Sequence, residues 1–231
     1  MKTVGIVGGI GPESTIDYYR SMIGLCRERA GPETYPHIIV DSVNVARMLG
    51  LIGSDRLAET TDYLVQSVRT LARAGAELGL LAANTPHLVF DDIANRSPIP
   101  LISIVRATCD AAKARGLGRL GLIGTRFTME AGFYQKHFTS QGLTIVLPDE
   151  TARVAMHARY MNELVAGVFR DETRRAILSA IDDLIDRQSV DGVILGGTEL
   201  PLLLRTDLHR NVALLNTTRI HVGAAVTAML A

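Results

Sequence analysis

Short apolar runs alternate with amphipathic stretches along this chain, and their lengths set the elements it predicts. Residues 3–7 form an apolar run that stops at Gly8-Gly9, with the length and flanks of a buried strand. Pro12 opens a helix, because proline at a first helical turn already holds the right φ and removes no needed donor. Ile16, Tyr19, Met22, Ile23 and Cys26 continue that helix at helical spacing to a Gly31-Pro32 stop. Residues 37–41 predict a second strand, and Leu57, Leu64, Val68 and Leu71 mark one face of a long helix ending at Gly75. Residues 78–82 predict a third strand, and residues 101–105 a fourth after Pro98 and Pro100. Strands alternating with helices over short connections predict an α/β protein with mainly parallel sheets.

Halfway along, the pattern restarts. Gly5-Ile6-Val7-Gly8-Gly9 is echoed by Gly121-Leu122-Ile123-Gly124-Thr125, each before a helical segment carrying tyrosine (Tyr18 and Tyr19, then Tyr134). Gly79-Leu80-Leu81-Ala82-Ala83-Asn84-Thr85 is echoed by Gly192-Val193-Ile194-Leu195-Gly196-Gly197-Thr198. Both pairs are offset by about 115 residues, which reads as an internal duplication. The expected organisation is two similar halves, residues 1–100 plus 212–231 and residues 101–211, with the final strand and helix returning to the first half. Ligands of parallel α/β sheets bind beyond the carboxyl ends of the strands, so an active-site cleft is expected between the halves.

Four strand-end loops carry the candidate chemistry. In the first, Gly9-x-Gly11 followed by Ser14 approaches a dinucleotide fingerprint, and Asp41 ends the next strand where an acid could meet a ribose. Pro12, however, stands where backbone N–H groups should face a pyrophosphate; the plainer reading is a glycine turn that needs a positive φ. In the second loop, Asn84 and Thr85 offer polar groups to a ligand or cap the next helix. The third, Gly124-Thr125-Arg126-Phe127-Thr128, sets hydroxyls at a helix start, which suits a cap, a carboxylate or a phosphate. The fourth, Gly196-Gly197-Thr198-Glu199-Leu200-Pro201, presents a hydroxyl and a carboxylate.

Composition removes several classes. Lys and Arg number 24 against 24 Asp and Glu, which leaves no electrostatic footprint for nucleic acid or an anionic membrane. Two cysteines, Cys26 and Cys109, make neither a disulfide framework nor a multi-cysteine zinc site, and both lie in helical patterns as small core residues. No apolar run reaches the roughly 20 residues of a membrane span. The glycine-broken start lacks a cleavage site, so a reduced, cytoplasmic protein is expected.

Together, GGIGPEST, ANTPH, GTRFT with the following FY, and GGTELP resemble the aspartate/glutamate racemase family, in order, over essentially the whole chain. The resemblance implies two Rossmann-like halves related by a pseudo-twofold, a homodimer, an amino-acid-like substrate, and neither pyridoxal phosphate nor metal. It also implies a mechanism with two cysteines, one thiolate removing an α-proton while the opposite thiol protonates the other face. A 1,1-proton transfer needs an acid and a base on opposite faces of one carbon. This chain departs at both thiols, since the family's CNT reads Ala83-Asn84-Thr85 and its GCTE reads Gly196-Gly197-Thr198-Glu199.

The resemblance leaves a substrate-holding frame of Gly9, Ile10, Asn84, Thr85, Thr128 and Thr198, with Arg47 facing a side-chain carboxylate or simply solvated. Where the family often has an aspartate at the last strand's end, this chain has Asn216. Glu199, His87 and Glu13 remain as candidate acids and bases, because burial can raise a carboxylate's pKa enough for it to act as a base. The expected function is therefore racemase- or epimerase-type chemistry, or related cofactor-free chemistry, on a small carboxylate. A non-catalytic amino-acid-binding relative is the alternative, and a cofactor-free lyase or decarboxylase or an NAD-binding protein ranks lower.

Overall fold

Each buried strand feeds a helix in the computed structural model, which describes every residue from Met1 to Ala231. The chain runs β1 (Val4–Gly8), α1 (Pro12–Ala30), β2 (Ile38–Ser42), α2 (Val45–Gly53), α3 (Leu57–Arg73) and β3 (Leu78–Leu81). A 3-10 turn (Thr85–Val89), α4 (Phe90–Arg96), β4 (Leu101–Ile102) and α5 (Ile104–Ala114) follow. Next come β5 (Arg119–Gly124), α6 (Arg126–Glu130), α7 (Phe133–Ser140), β6 (Thr144–Val146) and α8 (Glu150–Asn162). The chain closes with α9 (Asp171–Gln188), β7 (Gly192–Gly196), α10 (Leu200–Leu204), β8 (Leu208–His209), β9 (Val212–Asn216) and α11 (Thr217–Leu230). Local chemistry sets many of the boundaries. Pro12 sits in the first turn of α1, and Asn44, Thr125 and Asp149 accept backbone N–H bonds that cap α2, α6 and α8.

The fold is α/β with mainly parallel sheets. One sheet has the order β2-β1-β3-β4, and the other β6-β5-β7-β9-β8. All pairings are parallel except the short β8, which runs antiparallel to β9. With β8 set aside, the two sheets share one winding: β1 corresponds to β5 and β3 to β7, as the repeated glycine strands suggest. Two units follow, Met1–Ile104 with His221–Ala231, and Val105–Ile220. The expected spans set each crossing just before the fourth strand, but β4 pairs with β3 and β9 with β7, so each strand stays in the sheet it follows. A parallel strand returned by a helix packs beside the strand it came from, so the chain crosses only after it.

In the first unit, Val4, Ile6, Leu78 and Leu80 of the sheet meet Tyr18, Met22 and Cys26 of α1 and Val222, Ala225, Val226 and Met229 of α11. Tyr18 thus takes the core position where the spacing suggested Tyr19, which stays exposed with Ile16. Cys26 and Cys109 are both buried free thiols, as core residues should be.

The strand expected at residues 101–105 lasts two residues, and two histidines explain why. His221 donates from Nε2 to the Ile102 carbonyl at 2.8 Å, while its Nδ1 accepts from the Tyr18 hydroxyl at 2.9 Å. Two positions on, the Ile104 N–H donates to His87 Nε2 at 3.1 Å. Side chains thus satisfy the backbone on both sides of Ser103, and the chain turns into α5 there instead of extending the ladder.

Burial holds the His221 imidazole neutral, lowering it from 6.5 to about 4, and lowers His87 as well. Between those values the unfolded chain binds protons that the folded chain refuses. The contribution is therefore complete above pH 6.5 and lost as pH falls toward 4. Urea denaturation should show stability falling below that pH by up to about 1.4 kcal/mol per pH unit for each histidine. His221→Gln should be less stable at neutral pH but flatter with pH; an unchanged slope in that variant would contradict the assignment.

Candidate functional site

The strand-end loops of the first unit are built around backbone groups already in use. Gly9 lies at φ +77°, and a Cβ there would come within 2.7 Å of Ser42 Oγ and 2.8 Å of Val43 N, so only glycine fits the turn. Its N–H donates to Thr15 Oγ1 at 2.9 Å, and Val43 donates to the Gly8 carbonyl at 2.9 Å. The glycine loop is thus folded onto its own helix and onto the end of β2. Asp41 accepts from Ser67 Oγ at 2.5 Å, so the carboxylate proposed for a ribose is already engaged within its own sheet layer. Ile10 is buried and Glu13 is exposed. Arg47 is also exposed, with its guanidinium 4.5 Å from the centre of the Tyr63 ring, a cation–π contact.

At the end of β3, Ala83, Asn84, Thr85 and His87 are all buried. Asn84 precedes the 3-10 turn but makes no side-chain cap bond to it, so capping does not account for this residue. His87 Nδ1 stands 3.0 Å from the Ala83 carbonyl while Nε2 accepts from Ile104. The imidazole is therefore the neutral Nδ1–H tautomer, donating to Ala83. The ring stacks on Phe90 at 4.8 Å and meets His221 edge-on at 5.9 Å. With both nitrogens bound to backbone and burial depressing its pKa, His87 is fitted to hold the loop rather than to move protons.

In the second unit, Thr125 caps α6 by accepting from the Thr128 N–H at 3.2 Å, and the two hydroxyls are also 3.2 Å apart. Capping is thus confirmed for Thr125, while Thr128 is fully buried below it. At the end of β7, Thr198 and Glu199 are each 3% exposed, which makes Glu199 a carboxyl withdrawn from water beyond the carboxyl end of a central strand. Glu199 Oε2 receives hydrogen bonds from the Tyr160 hydroxyl and, at 3.1 Å, from Thr198 Oγ1. Burial raises the Glu199 carboxyl, and these hydrogen bonds pull partly against it; Tyr160 is pushed well above the usual tyrosine range by burial and by the neighbouring carboxylate.

Tyr160 is the residue that sequence reasoning missed. It lies on α8 four residues after Met156, on that helix's buried face, but nothing in the sequence says where its ring ends. The signal was Gly197. A Cβ on that residue would lie 2.6 Å from Tyr160 Cε2, 2.7 Å from Cζ and closer still to the hydroxyl oxygen. The phenol occupies the volume a side chain at 197 would need. Thr198, Glu199 and Tyr160 are therefore brought together, whereas Glu13 and Arg47 lie on exposed surface. No group of three or more His, Cys, Asp or Glu side chains is arranged to hold a metal ion.

Comparison with known proteins gives a consistent picture. A family model described as Asp/Glu/Hydantoin racemase matches residues 7–225. Among solved structures, a candidate Asp/Glu racemase from Yersinia pestis is 34% identical with a TM-score of 0.88, covering 100% of both chains. An aspartate racemase homologue from Pyrococcus horikoshii is 32% identical with a TM-score of 0.84, again covering 100% of both. A broad specificity amino-acid racemase of Bacillus subtilis is 22% identical over 71% of this chain and 70% of its own.

Replacing His87 by alanine should be costly for a specific reason. It leaves the Ala83 carbonyl and the Ile104 N–H buried without these partners and opens a cavity beside Phe90. Urea denaturation at pH 7.5 should show a loss of about 3–5 kcal/mol. A loss below about 1 kcal/mol would mean that the two backbone groups have other means of satisfaction.

Proposed function

The chain belongs to the Asp/Glu/hydantoin racemase family, and on that premise we propose cofactor-independent proton chemistry of the racemase or epimerase type on a small amino-acid-like carboxylate. The observation that carries the reading is Glu199, a 3%-exposed carboxyl at the end of β7 whose pKa is raised by burial. A carboxylate is a weak base in water; one withdrawn from water gains affinity for the proton it must take. Of the three acid–base candidates, Glu13 is solvated and His87 has both nitrogens on backbone, so Glu199 is assigned the proton.

In this reading, Gly9, Ile10, Asn84 and Thr85, and likewise Thr128 and Thr198, are the groups that the family resemblance assigns to a ligand's carboxylate and amino groups. Arg47 serves a side-chain carboxylate. Ala83 and Gly197 stand where the family resemblance puts thiols, so the proton traffic passes through oxygen rather than sulfur. The reading takes no cofactor and no metal, and it expects a cytoplasmic homodimer. No helix is long and apolar enough to cross a membrane.

A second reading, a carboxylate-binding protein without turnover, draws on the end of β3. Ala83 there offers no proton carrier, and the neighbouring His87 has no free nitrogen, so a two-sided transfer lacks its partner group. Proton NMR in D₂O with L- and D-aspartate, glutamate and related acids separates the two. We expect α-proton exchange with at least one acid, reduced by about 100-fold or more in Glu199→Gln, the lower end of what a general base contributes. Tight binding without any exchange in the wild-type protein would favour the binder.

A further inference from the structure

Gly197 and Tyr160 interlock in a way that bears on Glu199. At the end of β7 the backbone offers no side chain, and α8 brings a phenol into that space from a different element. The ring does more than fill volume. Its hydroxyl donates to Glu199 Oε2, and the Glu199 backbone N–H points back at the phenol oxygen at 3.4 Å. Tyr160 and Glu199 are each 3% exposed, so neither polar group has more than a trace of water to fall back on. A buried hydroxyl and a buried carboxyl are tolerated only when they satisfy each other.

We propose that Tyr160 is a positioning residue for Glu199, acting as the side chain that residue 197 lacks, and that position 197 is glycine to admit it. The proposal rests on the assignment of Glu199 as the proton-transferring group and adds what controls that group. By donating to Oε2 together with Thr198, the phenol fixes which carboxyl oxygen is occupied and favours the carboxylate over the acid. Several charged groups on α8 and on α6 and α9, which pack against it, have partners of their own. Arg126 and Arg153 pair with Glu130, Arg159 lies 3.4 Å from Glu172, and His157 sits edge-on to Phe127 with its Nδ1 facing the Arg126 N–H. Within this unit, the ionisation of Glu199 is left to Tyr160, Thr198 and its own backbone N–H.

The test needs no substrate. The Glu199 carboxyl band is followed by infrared difference titration of the intact protein, with Glu199→Gln as the subtraction that assigns it. Tyr160→Phe keeps the ring and removes the donor, so the titration midpoint should rise by about one pH unit. Gly197→Ala keeps the phenol but denies it this position, and should move the midpoint in the same direction. The double variant should move it no further than the larger single change, because both act on one contact. An unchanged midpoint in Tyr160→Phe overturns the proposal, as does additivity in the double variant. Should Gly197→Ala fail to fold, Tyr160→Phe alone decides. Because the band is read without turnover, a failure here is distinguishable from a failure of α-proton exchange in the wild-type protein.

Discussion

The backbone on either side of Ser103 is held by two imidazoles, and much of the first unit depends on that grip. His221 takes the Ile102 carbonyl and His87 takes the Ile104 N–H, so β4 ends after two residues. The same rings reach outward. His87 fixes the carbonyl of Ala83 at the end of β3, and His221 fixes the Tyr18 hydroxyl on α1. One pair of neutral side chains therefore sets the end of a strand, the shape of a candidate ligand loop and the seat of a helix from the far end of the chain. Their neutrality is necessary, because a charged imidazole would have no acceptor to replace the lone pair it now offers to Ile104 or to Tyr18.

The second unit repeats the winding of the first but answers the strand-end problem differently. At the end of β3 a histidine is locked between two backbone groups; at the corresponding end of β7 a carboxyl and a phenol satisfy each other. The first arrangement occupies both ring nitrogens, whereas the second leaves a carboxyl buried and hydrogen-bonded. The two units share a strand order while their strand-end loops bury different side chains.

The strands, the parallel sheets and the duplicated winding were legible because they rest on local pattern. Short apolar runs flanked by glycine, such as residues 192–196, have the length and flanks of buried strands, and this one is fully buried. The positions of Gly9 and Thr125 were also legible, since a positive φ and a helix cap are local demands. What failed to show were specific side-chain contacts between residues far apart in sequence. The early end of β4 depends on His221, 119 residues from Ile102, and Tyr160 meets Glu199 across a gap of 39. Tyr160 lies on the buried face of α8, a placement that does not say what its ring touches, and a glycine where the family resemblance puts a side chain reads as a loss until the ring that fills it is located.

The first unit also sets an order of events during synthesis. Its core is finished by Val222, Ala225, Val226 and Met229, and Tyr18 finds its hydrogen-bond partner in His221. Residues 1–104 therefore leave the ribosome with an apolar face of α1 and β1 uncovered, and they wait for the whole of residues 105–220 to be made. The second unit has no such wait, since its segment is continuous. On the ribosome, the half encoded later is the first that can complete its core, and the amino-terminal half completes its own only after residues 221–231 emerge.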